Sequence, residues 1–132
     1  MDNIKLEEGS ELMLQFEKSG GLLPAIVQEK STGLILMMAY INSEALQETV
    51  RSGMATFWSR SRGELWKKGK TSGNLMKITD ILVDCDQDCL IYQVEKTAGG
   101  ACHTKNRSSE FRNSCFYRRI DPVTGILQKL EE

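Results

Sequence analysis

The residue pattern predicts an α+β domain, mostly antiparallel β-sheet with a few short helices. Short apolar runs rich in β-formers recur along the chain, and glycine-containing turns group several of them in pairs. Only two stretches carry helical spacing instead. At 132 residues the chain has room for one domain with a real core, not two. No repeat, low-complexity tract or Pro/Gly-rich linker divides it, so residues 1–132 are expected to fold as one unit, with residues 1–10 as a flexible N-terminal extension.

Glu11 to Glu17 (ELMLQFE) reads as a short amphipathic helix, stopped by Gly20-Gly21. Ala25 to Glu29 and Leu34 to Ile41 read as strands around Lys30-Ser31-Thr32-Gly33, a loop whose final glycine suits a hairpin. Asn42 or Ser43 caps a helix running from Glu44 to Arg51, and Ser52-Gly53 stops it. Ala55 to Arg60 is rich in β-formers, and Gly63 to Gly73 reads as a polar, glycine-punctuated loop. Leu75 to Cys85 and Leu90 to Lys96 follow as strands, because Leu90, Tyr92 and Val94 alternate with Gln93 and Glu95. Cys115 to Ile120 and Ile126 to Leu130 form a last pair around the turn Asp121-Pro122-Val123-Thr124-Gly125.

The 17 Lys+Arg nearly cancel the 18 Asp+Glu, for a net charge of -1. The whole-chain charge therefore announces neither a nucleic-acid binder nor a polybasic membrane ligand. The longest apolar run, Leu34 to Ile41, is too short for a bilayer span, and the acidic start lacks signal-peptide order. A cytoplasmic location is expected. Without an export signal, disulfides are the least favoured use of the 4 cysteines. With 1 histidine, any zinc within one chain must rest mainly on thiolate.

Three segments carry chemistry. Asp84, Asp86 and Asp88 alternate in DCDQD, so in an extended backbone they would share one face at roughly 6–7 Å intervals. A hard cation such as magnesium would relieve their repulsion; a solvated strand end explains the spacing equally well. Cys85, Cys89, Cys102 and Cys115 contain no C-x-x-C knuckle, which argues against a closed zinc ribbon. Cys85 shares the parity of Ile81 and Val83, and burial as a small apolar side chain is its simplest reading. On a straight strand Cys89 would lie about 13 Å from Cys85. Cys85, Cys102 and Cys115 are then the alternative, a three-thiolate set with an open fourth position.

Between Phe57 and Lys77, Arg60, Arg62, Lys67, Lys68, Lys70 and Lys77 face the single acid Glu64. With Thr71, Ser72 and neighbouring glycines, this stretch suits phosphate, although a solvated basic loop is the plainer explanation. It is not a nucleotide P-loop, because Gly63 and Gly69 are separated by one residue too many and by bulky side chains. Trp58 and Trp66 add aromatic faces on which a base could stack, with at least one of them expected in the core.

Taken together, FWSRSRGELWKKGKTSGN, DCDQDC and GGACHTKNRSSEFRNSCFYRR resemble the phosphoribosyl-AMP cyclohydrolase family of histidine biosynthesis, over a span from Gly21 to Tyr117. The resemblance implies hydrolysis of the bond between nitrogen 1 and carbon 6 of the purine in 1-(5-phosphoribosyl)-AMP. It also implies a homodimer with active sites at the subunit interface and zinc held by cysteines that include one from the partner chain. Carried over by motif, Asp84, Asp86 and Asp88 are magnesium ligands, and Cys85, Cys102 and Cys115 are zinc ligands. Arg60, Arg62, Trp66, Lys67, Lys70, Thr71 and Ser72 become the substrate-binding candidates. His103, beside Cys102, is the one imidazole available for proton transfer, or equally a residue that orients its loop. The family usually carries a cysteine where Ser109 stands. Because SCFYR keeps the expected context around Cys115, Ser109 to Ser114 reads as an insertion.

Two other classes fit less well. A zinc deaminase needs H-x-E with P-C-x-x-C, and neither occurs. A thiolate-zinc nucleic-acid module would bind in a strongly salt-sensitive way through the basic loop.

Overall fold

The computed structural model describes residues 3–69, 73–97 and 99–130. Its element order is α1 (Asn3–Glu8), β1 (Leu23–Glu29), β2 (Ile35–Ile41), α2 (Ser43–Ser52), β3 (Thr56–Ser59), β4 (Glu64–Lys67), β5 (Met76–Val83), β6 (Leu90–Lys96), β7 (Arg118–Ile120) and β8 (Leu127–Lys129). The α+β expectation holds.

A four-stranded sheet in the order β2-β1-β6-β5 forms the centre. Leu23, Ala25 and Val27 of β1 and Leu90, Tyr92 and Val94 of β6 are all buried, the two-residue period of a half-buried sheet. The β1–β2 pair is antiparallel, as its turn signal predicted, and β5–β6 is antiparallel as well, but β1 and β6 run parallel in the middle. Such a pair needs a long crossover. The crossover carries α2 and the β3–β4 hairpin, the elements that build the candidate site.

Asn42 caps α2: its side chain accepts from the Ala45 amide at 2.9 Å. Gly53 closes the helix in the left-handed conformation at φ 74, its amide donating to the Thr49 carbonyl. The buried Thr49 hydroxyl then donates to the Ala45 carbonyl at 2.8 Å and accepts from the Thr56 amide at 3.0 Å, tying α2 to β3. Phe57 stacks against Trp66 and Tyr92 with ring centroids 4.8 and 5.8 Å apart. Burial pushes the Tyr92 phenol up to about 12.

Three local expectations change. Glu11 to Glu17 is not helical; the first helix is α1, and the Met13 and Gln15 amides are instead hydrogen-bonded to Gln87. The Gly63 to Gly73 loop contains β4, which pairs with β3 in the register Phe57↔Trp66 and Trp58↔Leu65, so cross-strand aromatic packing overrides its polar composition. Cys85 is exposed rather than buried. The strand ends at Val83, itself 39% exposed, and the chain turns there, so the parity of Ile81 and Val83 does not carry on to Cys85. No helix among the described residues is long and apolar enough to cross a membrane.

Candidate active site

The β3–β4 hairpin carries most of the basic segment. Its turn is closed by Ser59, whose carbonyl accepts from the Gly63 amide at 2.8 Å and whose hydroxyl accepts from the Arg62 amide at 3.2 Å. Arg62, Trp66, Lys67, Lys68 and Gly69 line one cavity of about 780 Å³, together with Glu48 from α2. That volume lies in the range of small-molecule sites. Trp66 and Trp58 are both half-buried against the core, so Trp66 presents a ring to the cavity from a packed base. Arg60 lies instead over the Tyr40 ring at 5.4 Å. Lys70, Thr71 and Ser72 fall outside the described residues.

Glu48 was not anticipated from sequence. It sits on α2 opposite Lys67, with Nζ and Oε2 3.6 Å apart. The hydrogen-bonded Arg51 guanidinium, with help from Lys67, holds its carboxyl below the usual range. Lys67 is therefore held at the cavity wall.

The second part is a thiol pair. Cys102 is buried, and its sulfur lies 2.9 Å from the Thr104 hydroxyl. Burial alone would raise this thiol, but the Thr104 hydroxyl and amide, the Cys115 thiol and the charge of Lys68 together lower it. Cys115 moves the other way, pushed up to about 11 by its protein surroundings and by the adjacent Cys102 sulfur. Of the two sulfurs, Cys102 is the one whose charged form its surroundings favour.

The residues between Cys102 and Cys115 do not separate this pair. The chain doubles back after Cys102: the Cys102 amide donates to the Arg112 carbonyl at 2.9 Å, and the Arg112 amide to the Thr104 carbonyl at 3.0 Å. Lys105 bridges Phe111, and the Asn106 side chain closes the tip by accepting from Ser108 and Glu110. Cys115 is then anchored on β2, its amide donating to the Leu36 carbonyl at 2.7 Å, while the Ser114 hydroxyl donates to the Ile35 carbonyl at 2.6 Å. His103 is exposed and has no hydrogen-bond partner among the described residues.

The third part is the acidic turn. The carboxylates of Asp84, Asp86 and Asp88 converge with oxygens within 4.8 Å of one another. They do so through a turn, not along an extended strand: the Gln87 amide donates to the Asp84 carbonyl at 3.2 Å, and Asp84 Oδ1 accepts from the amides of Asp88 and Cys89. Burial works to raise Asp84, but those amides and the Asp88 and Asp86 side chains hold it below its ordinary value. Sharing hydrogen bonds with Asp84 and then Asp86 raises Asp88 from 3.8 to about 6. Cys85 does not join Cys102 and Cys115 in a three-residue ligating group within one chain.

Asp88 yields a pH prediction. Between its ordinary value and about 6 the folded chain holds a proton that the unfolded chain has released. Stability must fall as pH rises through this window. In chelator, thermal midpoints are expected to decline between pH 4.5 and 6.5 in the native chain and less steeply in Asp88→Asn. Equal slopes would remove Asp88 as the cause.

The phosphoribosyl-AMP cyclohydrolase family profile matches residues 37–117. A phosphoribosyl-AMP cyclohydrolase of Desulfatibacillum aliphaticivorans is 52% identical over 108 residues, covering 82% of each chain. One from Methanoregula boonei is 53% identical over 113 residues, 86% of this chain and 85% of its own, and one from Archaeoglobus fulgidus is 50% identical, covering 82% and 93%. The chain belongs to the phosphoribosyl-AMP cyclohydrolase family.

As a cyclohydrolase-family enzyme, the chain brings its basic hairpin and its thiol pair within reach of a common residue, Lys68. Lys68 lines the cavity and its charge acts on both Cys102 and Cys115. From sequence, Lys68 was only one cation of a run. Thr104 was equally unremarked, although its place two residues after Cys102 puts it within reach of that sulfur.

Proposed function

We propose that the chain is a metal-dependent hydrolase of L-histidine biosynthesis, acting in the cytoplasm on 1-(5-phosphoribosyl)-AMP. In this reading it cleaves the bond between nitrogen 1 and carbon 6 and releases the opened phosphoribosylformimino-aminoimidazole carboxamide ribotide. The observation that carries the reading is the adjacency of a basic, tryptophan-walled cavity to a polarised thiol pair, linked through Lys68.

The donor sets suit the two metals the family resemblance implies. Clustered carboxylate oxygens are hard ligands fit for magnesium, and a thiol pair with one sulfur already biased toward thiolate is fit for zinc. Zinc at Cys102 and Cys115 would supply hydroxide near neutral pH by lowering the pKa of a water. Arg62, Lys67 and Lys68 would bind the phosphates as charge-assisted donors, and Trp66 would stack on the purine. Substitution at nitrogen 1 leaves carbon 6 electron-poor and open to attack. His103, exposed and without a hydrogen-bond partner among the described residues, would carry a proton to nitrogen 1 as the ring opens.

A homodimer is part of the same proposal, with Cys85 as the zinc ligand supplied by the partner chain. Two features support it. Cys85 is exposed and apart from the thiol pair, and the β7–β8 hairpin exposes Ile120 and Leu127, an antiparallel pair 68% and 54% accessible. An isolated two-stranded hairpin is marginal in water, and a second chain would cover this one. The double variant Ile120→Lys with Leu127→Lys is expected to elute as a monomer and to lose turnover. A variant that stays dimeric would take the hairpin out of the interface.

The direct test adds purified protein to phosphoribosyl-AMP with zinc and magnesium and follows the ultraviolet change on ring opening. Absence of that change would overturn the proposal.

A further inference from the structure

Gln87 lies in the middle of the acidic turn, yet its side chain faces away from solvent, 7% exposed. Its Oε1 accepts from the Met13 amide at 2.7 Å, and its Nε2 donates to the carbonyls of Leu6 at 3.1 Å and Glu11 at 3.3 Å. Its own carbonyl accepts from the Gln15 amide at 2.9 Å. One residue thus binds four points of the segment from Leu6 to Gln15, all of which precede the family-matched residues 37–117.

The backbone at Gln87 is left-handed, φ 56. A non-glycine residue stays there only when its surroundings over-determine it. The buried side-chain hydrogen bonds supply that constraint. Asp86 and Asp88 flank Gln87, so relaxation of this one residue would re-aim both carboxylates. The N-terminal segment is thereby part of the frame of the acidic turn.

We infer that Gln87 is a positioning residue: it pins the N-terminal segment to the acidic turn and so sets the carboxylate geometry that a divalent cation meets. The inference rests on the magnesium reading of Asp84, Asp86 and Asp88 proposed above. It involves no contact between Gln87 and the ion.

The test uses the full chain and Mn²⁺ as a paramagnetic probe, read by electron paramagnetic resonance for both affinity and line shape. Asp86→Asn is the control for binding at the turn. Gln87→Met keeps the side-chain length but makes none of the hydrogen bonds, and is expected to weaken Mn²⁺ by about tenfold or more, the scale for lost outer partners of metal ligands, with an altered line shape. Gln87→Gly adopts positive φ without strain and is expected to lose as much, which separates the clamp from backbone preference. Met13→Pro removes one donor from the opposite side. It is expected to weaken Mn²⁺ in the same direction and to be less than additive with Gln87→Met. Native affinity and line shape in both Gln87→Met and Met13→Pro would overturn the inference while leaving the magnesium reading intact. Failure of the unaltered chain to bind Mn²⁺ in an Asp86-dependent way would overturn both.

Discussion

Cys102→Ser and Cys115→Ser are each expected to lower kcat/KM for ring opening by at least about 10³-fold, which at tenfold per 1.4 kcal/mol is about 4 kcal/mol of lost transition-state stabilisation. The reason is the asymmetry within the pair. Cys102 is the sulfur whose charged form is favoured, by Thr104, Cys115 and Lys68 against the cost of burial. Its partner is held neutral in the metal-free chain. A zinc ion held by Cys102 and Cys115 would favour the thiolate form of both, and serine cannot match a thiolate as a zinc ligand. Zinc content per chain and initial rates should fall together. Cys89→Ser, by contrast, is expected to retain both, because the Cys89 thiol is raised by burial and by the three neighbouring aspartates. Full zinc content in either Cys102→Ser or Cys115→Ser would remove that residue from the ligand set.

Gly100→Ala is expected to be strongly damaging to the thiol pair. A Cβ at Gly100 would collide with the carbonyl oxygens of both Phe111 and Arg112. These are backbone atoms that cannot swing aside. The Gly100 carbonyl is also fixed, accepting from the Asn74 side chain at 3.1 Å. Overpacking of this kind costs about 1–3 kcal/mol. The strand forced outward is the one that carries Arg112 past Cys102 and delivers Cys115. A fall in thermal midpoint should therefore accompany loss of zinc. A stable variant with native zinc content would show that the loop can widen without parting the thiols.

Much of this molecule was legible residue by residue. The hairpin at Lys30 to Gly33, the capped helix after Asn42 and the alternation through Leu90, Tyr92 and Val94 each depend on interactions within a few residues. Turn chemistry, capping and a two-residue period are local rules. The basic segment and the acidic triplet were found the same way, as clusters of like chemistry close together in the chain, whereas the cysteine set came from the family resemblance. The β4 strand was missed because its strand character comes from Phe57 and Trp58 across the hairpin, not from its own polar composition.

Other features depend on contacts that chain order does not reveal. The parallel pairing of β1 with β6 joins residues 65 positions apart, such as Ala25 and Leu90. The convergence of Asp84, Asp86 and Asp88 comes from a left-handed residue held by amides and carbonyls of the N-terminal segment, where a straight strand would have spread the carboxylates. Cys102 and Cys115 meet because backbone hydrogen bonds fold the segment between them back on itself. Composition and spacing thus announce which chemistry the chain can carry. Whether those groups meet depends on long-range backbone hydrogen bonds and buried packing, whose partners are chosen by the folded chain as a whole.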